Sequence, residues 1–132
     1  ETSMVNLWLP LVDANAENGC LEFIRGSHNC GILPYNSGGA EDLVPESIPE
    51  GEAVCCPLQV GGVLMLQHKT VHRSTPNFSD HIRWSLDIRY SDPALPTGRD
   101  HVPGFLARSV LQPNRVAKDH HDWLKLFAEN GD

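Results

Sequence analysis

Apolar and polar positions alternate most cleanly late in the chain. Over Arg83-Trp84-Ser85-Leu86-Asp87-Ile88-Arg89-Tyr90 the period is two, with Trp84, Leu86, Ile88 and Tyr90 on one face and Arg83, Ser85, Asp87 and Arg89 on the other, which predicts a strand. Earlier, the β-prone run over residues 4–12 is closed by the turn-rich residues 13–19, and residues 20–24 read as a second strand. The short connection of turn residues predicts that these two pair as an antiparallel hairpin. Residues 52–58 and 63–67 add two strands divided by Pro57 and the Gly61-Gly62 pair, where a tight turn with positive φ requires glycine. Residues 70–73 suit a short strand after a bend. Residues 25–51 lack periodicity and are rich in Gly, Pro, Asn and Ser, a long loop of the kind that is functional or disordered in a compact domain. Beyond Ser91 the chain is irregular until residues 116–129, where Val116, Trp123, Leu124 and Phe127 fall at helical spacing and Gly131 offers a stop. The expected fold is an antiparallel all-β domain with one amphipathic C-terminal helix docked on a sheet.

A length of 132 residues sets the prior at one domain or a piece of one. Lys and Arg total 10 against 17 Asp and Glu, a net charge of −7, and no segment gathers the positive charges. Nucleic acid and an anionic membrane surface are therefore not expected partners. No apolar run approaches the ~20 residues of a spanning helix, and nothing at the N-terminus reads as a signal peptide. The expected location is cytoplasmic. Cys20, Cys30, Cys55 and Cys56 make no CxxC zinc pattern, the adjacent pair would point to opposite faces of a strand, and reduced thiols are the expected state.

Seven histidines raise the question of a metal site. His68 and His72 are four apart, but no Glu stands between them and the surroundings read as strand and turn, so the helical HExxH zinc pattern is absent. A joint site would need a bend at Lys69-Thr70. His120-x-Asp122 falls in the helical segment, where residues two apart diverge by about 200°, so a solvated helix face is the expectation. His28 and His101 read as exposed loop residues. The informative stretch runs from Gly61 to Asn77 and on to Arg83. It offers an imidazole suited to Fe(II), a hydroxyl, and a guanidinium able to clamp a carboxylate in bidentate fashion.

These residues resemble the phytanoyl-CoA dioxygenase family of Fe(II)- and 2-oxoglutarate-dependent oxygenases. The resemblance covers residues 6–92. Asn6-Leu7-Trp8-Leu9-Pro10-Leu11 with Glu17-Asn18-Gly19-Cys20-Leu21 resembles the family's strand and Glu-Asn-Gly turn, and Arg25-Gly26-Ser27-His28 its Pro-Gly-Ser-His motif with Arg25 in place of proline. His72-Arg73-Ser74-Thr75-Pro76-Asn77 is similar to the distal His-x-Ser-x-x-Asn, and Arg83 falls where the cosubstrate arginine is expected. Pro96-Thr97-Gly98-Arg99 and Pro103-Gly104-Phe105 resemble the C-terminal extension of one subgroup. The resemblance implies a double-stranded β-helix, or jelly roll, with Fe(II) as cofactor and 2-oxoglutarate as cosubstrate. It implies His72 as the distal iron ligand, Arg83 gripping the distal carboxylate of 2-oxoglutarate, Ser74 supporting that carboxylate and Trp8 lining its pocket. The plainer roles are a packed strand histidine, a strand salt bridge, a turn hydroxyl and a core tryptophan. His28 reads as a structural or mouth-loop residue.

The family's other two iron ligands form an HxD motif upstream of the strand at residues 4–11, and no match to it exists here: neither Asp13 nor Glu17 has a histidine two residues before it. The expectation is that the chain is the C-terminal portion of one oxygenase domain, residues 1–92 giving barrel strands and loops and 93–132 an extension and terminal helix. Five or six strands against the jelly roll's about eight would leave an unpaired edge and an exposed apolar face, which a homo-oligomer would cover. The expected function is hydroxylation of a small organic substrate. The rivals are a non-catalytic jelly-roll binding module without the metal site, and a cupin-like metal site using His68 and His72.

Overall fold

The computed structural model describes residues 3–36, 43–95, 97 and 104–129. Among them are six strands, β1 (Met4–Pro10), β2 (Leu21–Ile24), β3 (Ala53–Cys56), β4 (Leu64–Gln67), β5 (His72–Ser74) and β6 (Ser85–Ser91), and one helix, α1 (His120–Glu129). The strands form two three-stranded sheets, ordered β4-β1-β6 and β3-β2-β5. In the first, Asn6 stands opposite Leu66 and Trp8 opposite Leu64; in the second, Phe23 stands opposite both Val54 and His72. The chain passes between the sheets at nearly every connection, as a jelly roll requires, and six of its about eight strands are present among the described residues.

The expected hairpin between β1 and β2 does not form: the two strands lie in different sheets. Their connection is folded on itself instead. Asn15 Oδ1 accepts from the amides of Glu17 (2.9 Å) and Asn18 (3.0 Å), Asn18 Nδ2 donates to the Asp13 carbonyl (2.7 Å), and Ala14 exchanges backbone hydrogen bonds with Leu58 (2.9 Å each). This arch also lets both strands bury a face. Trp8 and Leu66 from one sheet form a core cluster with Cys20 and Leu21 from the other, joined by Ala14. Side-by-side pairing would leave those faces on one layer with nothing above them.

Strand β6 and the two residues before it have the alternation read from the sequence, but Arg83 and Ser85 are half-buried while Trp84 is 60% exposed and Leu86, Ile88 and Tyr90 are exposed as well. With Met65 of β4 also open, the expected exposed apolar face is present. The positive φ expected at the Gly61-Gly62 turn occurs at Gly61 (87°). All four cysteines are free thiols, and burial together with the neighbouring Cys20 pushes the Cys56 thiol above its usual range.

Two compact units divide the chain, Val5–Arg89 and Glu1–Met4 with Tyr90–Asp132. In the second, Leu106 bridges to Val116 and a 3-10 turn spans Pro113–Arg115. The helix starts at His120, four residues later than the periodicity implied, because Asp119 caps it: its Oδ1 accepts from the amides of His121 (2.9 Å) and Asp122 (3.0 Å). Asp122 accepts from Lys125 Nζ (2.8 Å) and the Lys118 amide (3.2 Å), contacts that hold its carboxyl below the usual carboxylate range. His120-x-Asp122 is thus part of a helix surface. The Phe127 side chain, Gly131, His101, and Pro96, Gly98, Arg99 and Pro103 of the extension motifs lie outside the described residues. No helix among the described residues is long and apolar enough to cross a membrane.

Candidate functional site

Strand β5 is held at its start by a buried hydroxyl. Val71 donates its amide to Ser27 Oγ (2.9 Å), and its carbonyl accepts from the Ile24 amide (3.0 Å). Ser27, 2% exposed, belongs to the Gly26-Ser27-His28 motif, whose effect is therefore on the residue preceding His72; His28 itself is exposed. The His72 Nδ1 lies 2.8 Å from the Thr70 carbonyl. A carbonyl oxygen only accepts, so the proton of this bond sits on Nδ1; in the neutral ring the lone pair is then on Nε2, the arrangement a metal ligand needs. Pairing with β2 turns His72 and Ser74 to the face shared with Leu21 and Phe23, and Arg73 to the other, where it pairs with Glu22.

The loop from Thr75 to Trp84 delivers Arg83, and the Glu-Asn-Gly turn braces it. Thr75 donates its amide (2.9 Å) and hydroxyl (3.0 Å) to the Cys20 carbonyl, and the Phe78 amide donates to the Glu17 carbonyl (2.8 Å). Gly19 has φ 88°, and a Cβ there would lie 2.9 Å from the Thr75 carbonyl oxygen, so a side chain is excluded twice over. Asn77 closes the loop, donating to the His81 carbonyl (2.8 Å) and accepting from the Ser79 amide (2.9 Å).

Arg83 then sits with its guanidinium carbon 5.3 Å from the centre of the Trp8 ring, which is 3% exposed. It donates through Nη1 to Ser85 Oγ (2.7 Å) and through Nη2 to Ser74 Oγ (3.0 Å), while its buried Nε has no partner among the described residues. A guanidinium has five N–H donors, and the two hydroxyls leave the one on the buried Nε unsatisfied. What is missing is an acceptor, and a carboxylate meets that need in planar, bidentate form. Three of the four residues singled out from the sequence, Trp8, Ser74 and Arg83, are thus in contact. His72 shares the Ser74 face two residues away, ~6.7 Å along a strand.

Ser85, Ser27, Gly19 and Asn77 shape this site without having been assigned a role in it. Ser85 was legible as sharing the Arg83 face; Ser27 and Asn77 stand in the matched motifs, but the partner of Ser27 lies 44 residues away and Asn77 acts by closing its own loop, neither of which the motifs specify. Among the described residues no three His, Cys, Asp or Glu side chains gather as a metal site. His72 is one oriented ligand without companions, and a cupin-like set built on His68 and His72 lacks its third member there. A cavity of about 500 Å³ is lined by Phe23, Ile24, His28, Leu66, Gln67 and Thr70 among others, and by none of Trp8, His72, Ser74 or Arg83.

Comparison with known proteins agrees with this fold. A model of the phytanoyl-CoA dioxygenase (PhyH) family matches residues 1–85. Phytanoyl-CoA dioxygenase domain-containing protein 1 of Mus musculus is 32% identical over 99 residues, covering 69% of this chain and 34% of its own length. The chain spans about a third of the length of the curated relatives it matches (34%). Among solved structures, the epimerase SnoN in complex with Fe3+, alpha ketoglutarate and nogalamycin RO matches with TM-score 0.60 and 28% identity over 89% of this chain and 48% of SnoN. The apo non-heme monooxygenase ThoJ matches with TM-score 0.63 and 25% identity over 98% of this chain and 52% of ThoJ.

Proposed function

Because this chain belongs to the phytanoyl-CoA dioxygenase family, we propose that it contributes the cosubstrate clamp and one metal ligand of an Fe(II)- and 2-oxoglutarate-dependent oxygenase that hydroxylates a small organic substrate. The observation that carries this reading is the Arg83 guanidinium, fixed on Trp8 by two serine hydroxyls with a buried Nε still lacking an acceptor. The donor set fits 2-oxoglutarate: Arg83 takes one terminal carboxylate, the Ser74 hydroxyl turns its proton to the same group, and Trp8 supplies an apolar wall that keeps water from the ion pair. The other end of the molecule then points along the inner face towards His72.

For iron the fit is incomplete, since His72 is one ligand and the described residues bring no second or third to it. What this chain does for the metal is to hold one imidazole with Nε2 open and Nδ1–H committed to Thr70. A second reading, resting on the Arg83 clamp alone, is a binding module that takes 2-oxoglutarate and performs no oxidation.

Isothermal titration of the chain with 2-oxoglutarate, with and without Fe(II) under nitrogen, tests both. Wild type is expected to bind, and Arg83→Gln to lose about 30-fold or more in affinity, since truncating one partner of a charged hydrogen-bonded pair costs about 2–5 kcal/mol. Equal binding by the two proteins overturns the clamp. Fe(II) that tightens 2-oxoglutarate binding favours the oxygenase, and indifference to Fe(II) the binding module.

A further inference from the structure

The outer face of the first sheet is apolar along all of its strands. Strand β1 lies between β4 and β6. Trp8 and Leu66 belong to the core, with Trp8 opposite Leu64 and Asn6 opposite Leu66, so the residues alternating with these, Val5, Leu7 and Leu9 of β1 and Met65 of β4, turn the other way. Before and along β6, Arg83 lies against the Trp8 ring and bonds Ser85, which fixes those two inward and sends Trp84, Leu86 and Ile88 outward. The Leu11 amide donates to the Trp84 carbonyl (2.8 Å), holding the start of β6 against the end of β1. The outward side chains are correspondingly open: Met65 is 64% exposed, Trp84 60%, Leu86 49%, Val5 43% and Ile88 38%. Together with the half-buried Leu7 and Leu9 they leave roughly 600 Å² of apolar surface in one patch, the upper end of what a monomer carries.

We propose that this face is an interface between two copies of the chain, packed sheet on sheet about a two-fold axis. Charge selects the partner. The chain carries −7, which repels a second copy from much of its surface, yet the outward positions from Val5 to Leu9, at Met65 and Gln67, and from Trp84 to Ile88 include no Asp, Glu, Lys or Arg. Two copies meet here without that repulsion. A basic protein drawn by the net charge finds no carboxylate on this face, and an anionic lipid surface finds no cation. Shape agrees, because neighbouring strands present a broad face that another sheet covers at a spacing of ~10 Å. Area agrees as well: a two-fold contact uses each residue twice, so about 1,200 Å² is removed from water, where specific interfaces begin. Its two most exposed members, Met65 and Trp84, are of the types enriched at interface cores. The Arg83 clamp lies on the inner face, so this inference does not depend on it.

Sedimentation velocity over ~1–100 µM, the range suited to an interface of this size, tests it. Wild type is expected to rise from 14.6 kDa to twice that mass and to stop there. Met65→Lys and Leu86→Lys, on the two strands that flank β1, are each expected to raise the dimer dissociation constant about 10-fold or more, because the ammonium loses its water with no carboxylate opposite. Ile32→Lys and Val110→Lys, at apolar positions off this face that are 69% and 87% exposed, should leave it unchanged. Without any variant, wild-type tryptophan emission should move to shorter wavelength as the mass doubles, since Trp84 leaves water while Trp8 is already buried. Where a variant fails to fold by far-UV circular dichroism, this emission decides. A wild type that stays monomeric throughout overturns the proposal, and one that also floats with phosphatidylcholine vesicles assigns the face to a membrane surface instead. A dimer indifferent to both face substitutions, or one that forms without the emission shift, has its contact elsewhere and overturns it too. So do equal weakening by the Ile32 and Val110 substitutions and assembly that continues past two copies, either of which means unspecific association.

Discussion

The two ends of one inner face differ in how much of their chemistry this chain provides. At the Trp8 end, Arg83 is stacked on a buried ring and hydrogen-bonded to Ser74 and Ser85, so the guanidinium is oriented before any ligand arrives. At the β5 end, His72 is exposed, with its ring turned by Thr70 but with no companion ligand among the described residues. The first end is assembled from contacts internal to residues 8–85. The second is one member of a set whose affinity depends on ligands working together. On the proposed function, the difference makes cosubstrate recognition and metal binding separable properties of these residues, with preorganisation concentrated at the end that would take the anion.

The strongest way to break the contrast is to remove the platform. Trp8 is the largest side chain of a small core and also the surface on which Arg83 rests. Trp8→Ala is expected to destabilise the fold by about 3–5 kcal/mol, the range for truncating a buried aromatic, and to abolish 2-oxoglutarate binding with it. Urea denaturation of the variant measures the first and calorimetry the second. A stable Trp8→Ala protein that still binds would mean that the clamp does not depend on the core.

Gly19→Ala separates the ends more finely. The new methyl would meet the Thr75 carbonyl at 2.9 Å in a backbone with φ 88°, for an expected loss of about 1–3 kcal/mol. Because Thr75 precedes the loop that delivers Arg83, 2-oxoglutarate affinity should fall, whereas the Ser27–Val71 bond that sets His72 lies on the opposite flank of β5. Histidine ring resonances of His72 that stay in place while the affinity drops would confirm the separation; joint movement would show the two ends to be one unit.

The same divide marks what was legible in the sequence. Alternation located β6, and composition located the turn at Gly61, because both are set by neighbours in the chain. Trp8, Ser74 and Arg83 were found because their motif spacings survive in one dimension. The β1–β2 pairing was misread because a turn-rich connection of this length suits either a hairpin or an arch, and the choice is made by burial of Trp8 and Leu21 against each other's layer, which no local pattern encodes. The start of α1 was misplaced because Val116 continued an apolar spacing that the Asp119 cap cuts off. Ser85 was visible on the correct face of its strand, yet nothing in a strand's alternation says which polar residue will meet a guanidinium.

The smallest effect is expected at His72, and it is the most specific to the comparison. The side chain is exposed and its one hydrogen bond is to a carbonyl two residues away, so His72→Ala should change stability by no more than about 0.5 kcal/mol, as for other surface substitutions. Metal-free 2-oxoglutarate binding should also be unchanged, since the carboxylate contacts lie ~6.7 Å along the strand at Ser74 and beyond. Any dependence of that binding on Fe(II), by contrast, should vanish in the variant. Parallel titrations of wild type and His72→Ala, each with and without Fe(II), read all of this at once. A loss of metal-free binding in His72→Ala would place the imidazole inside the anion site and remove the distinction between the two ends.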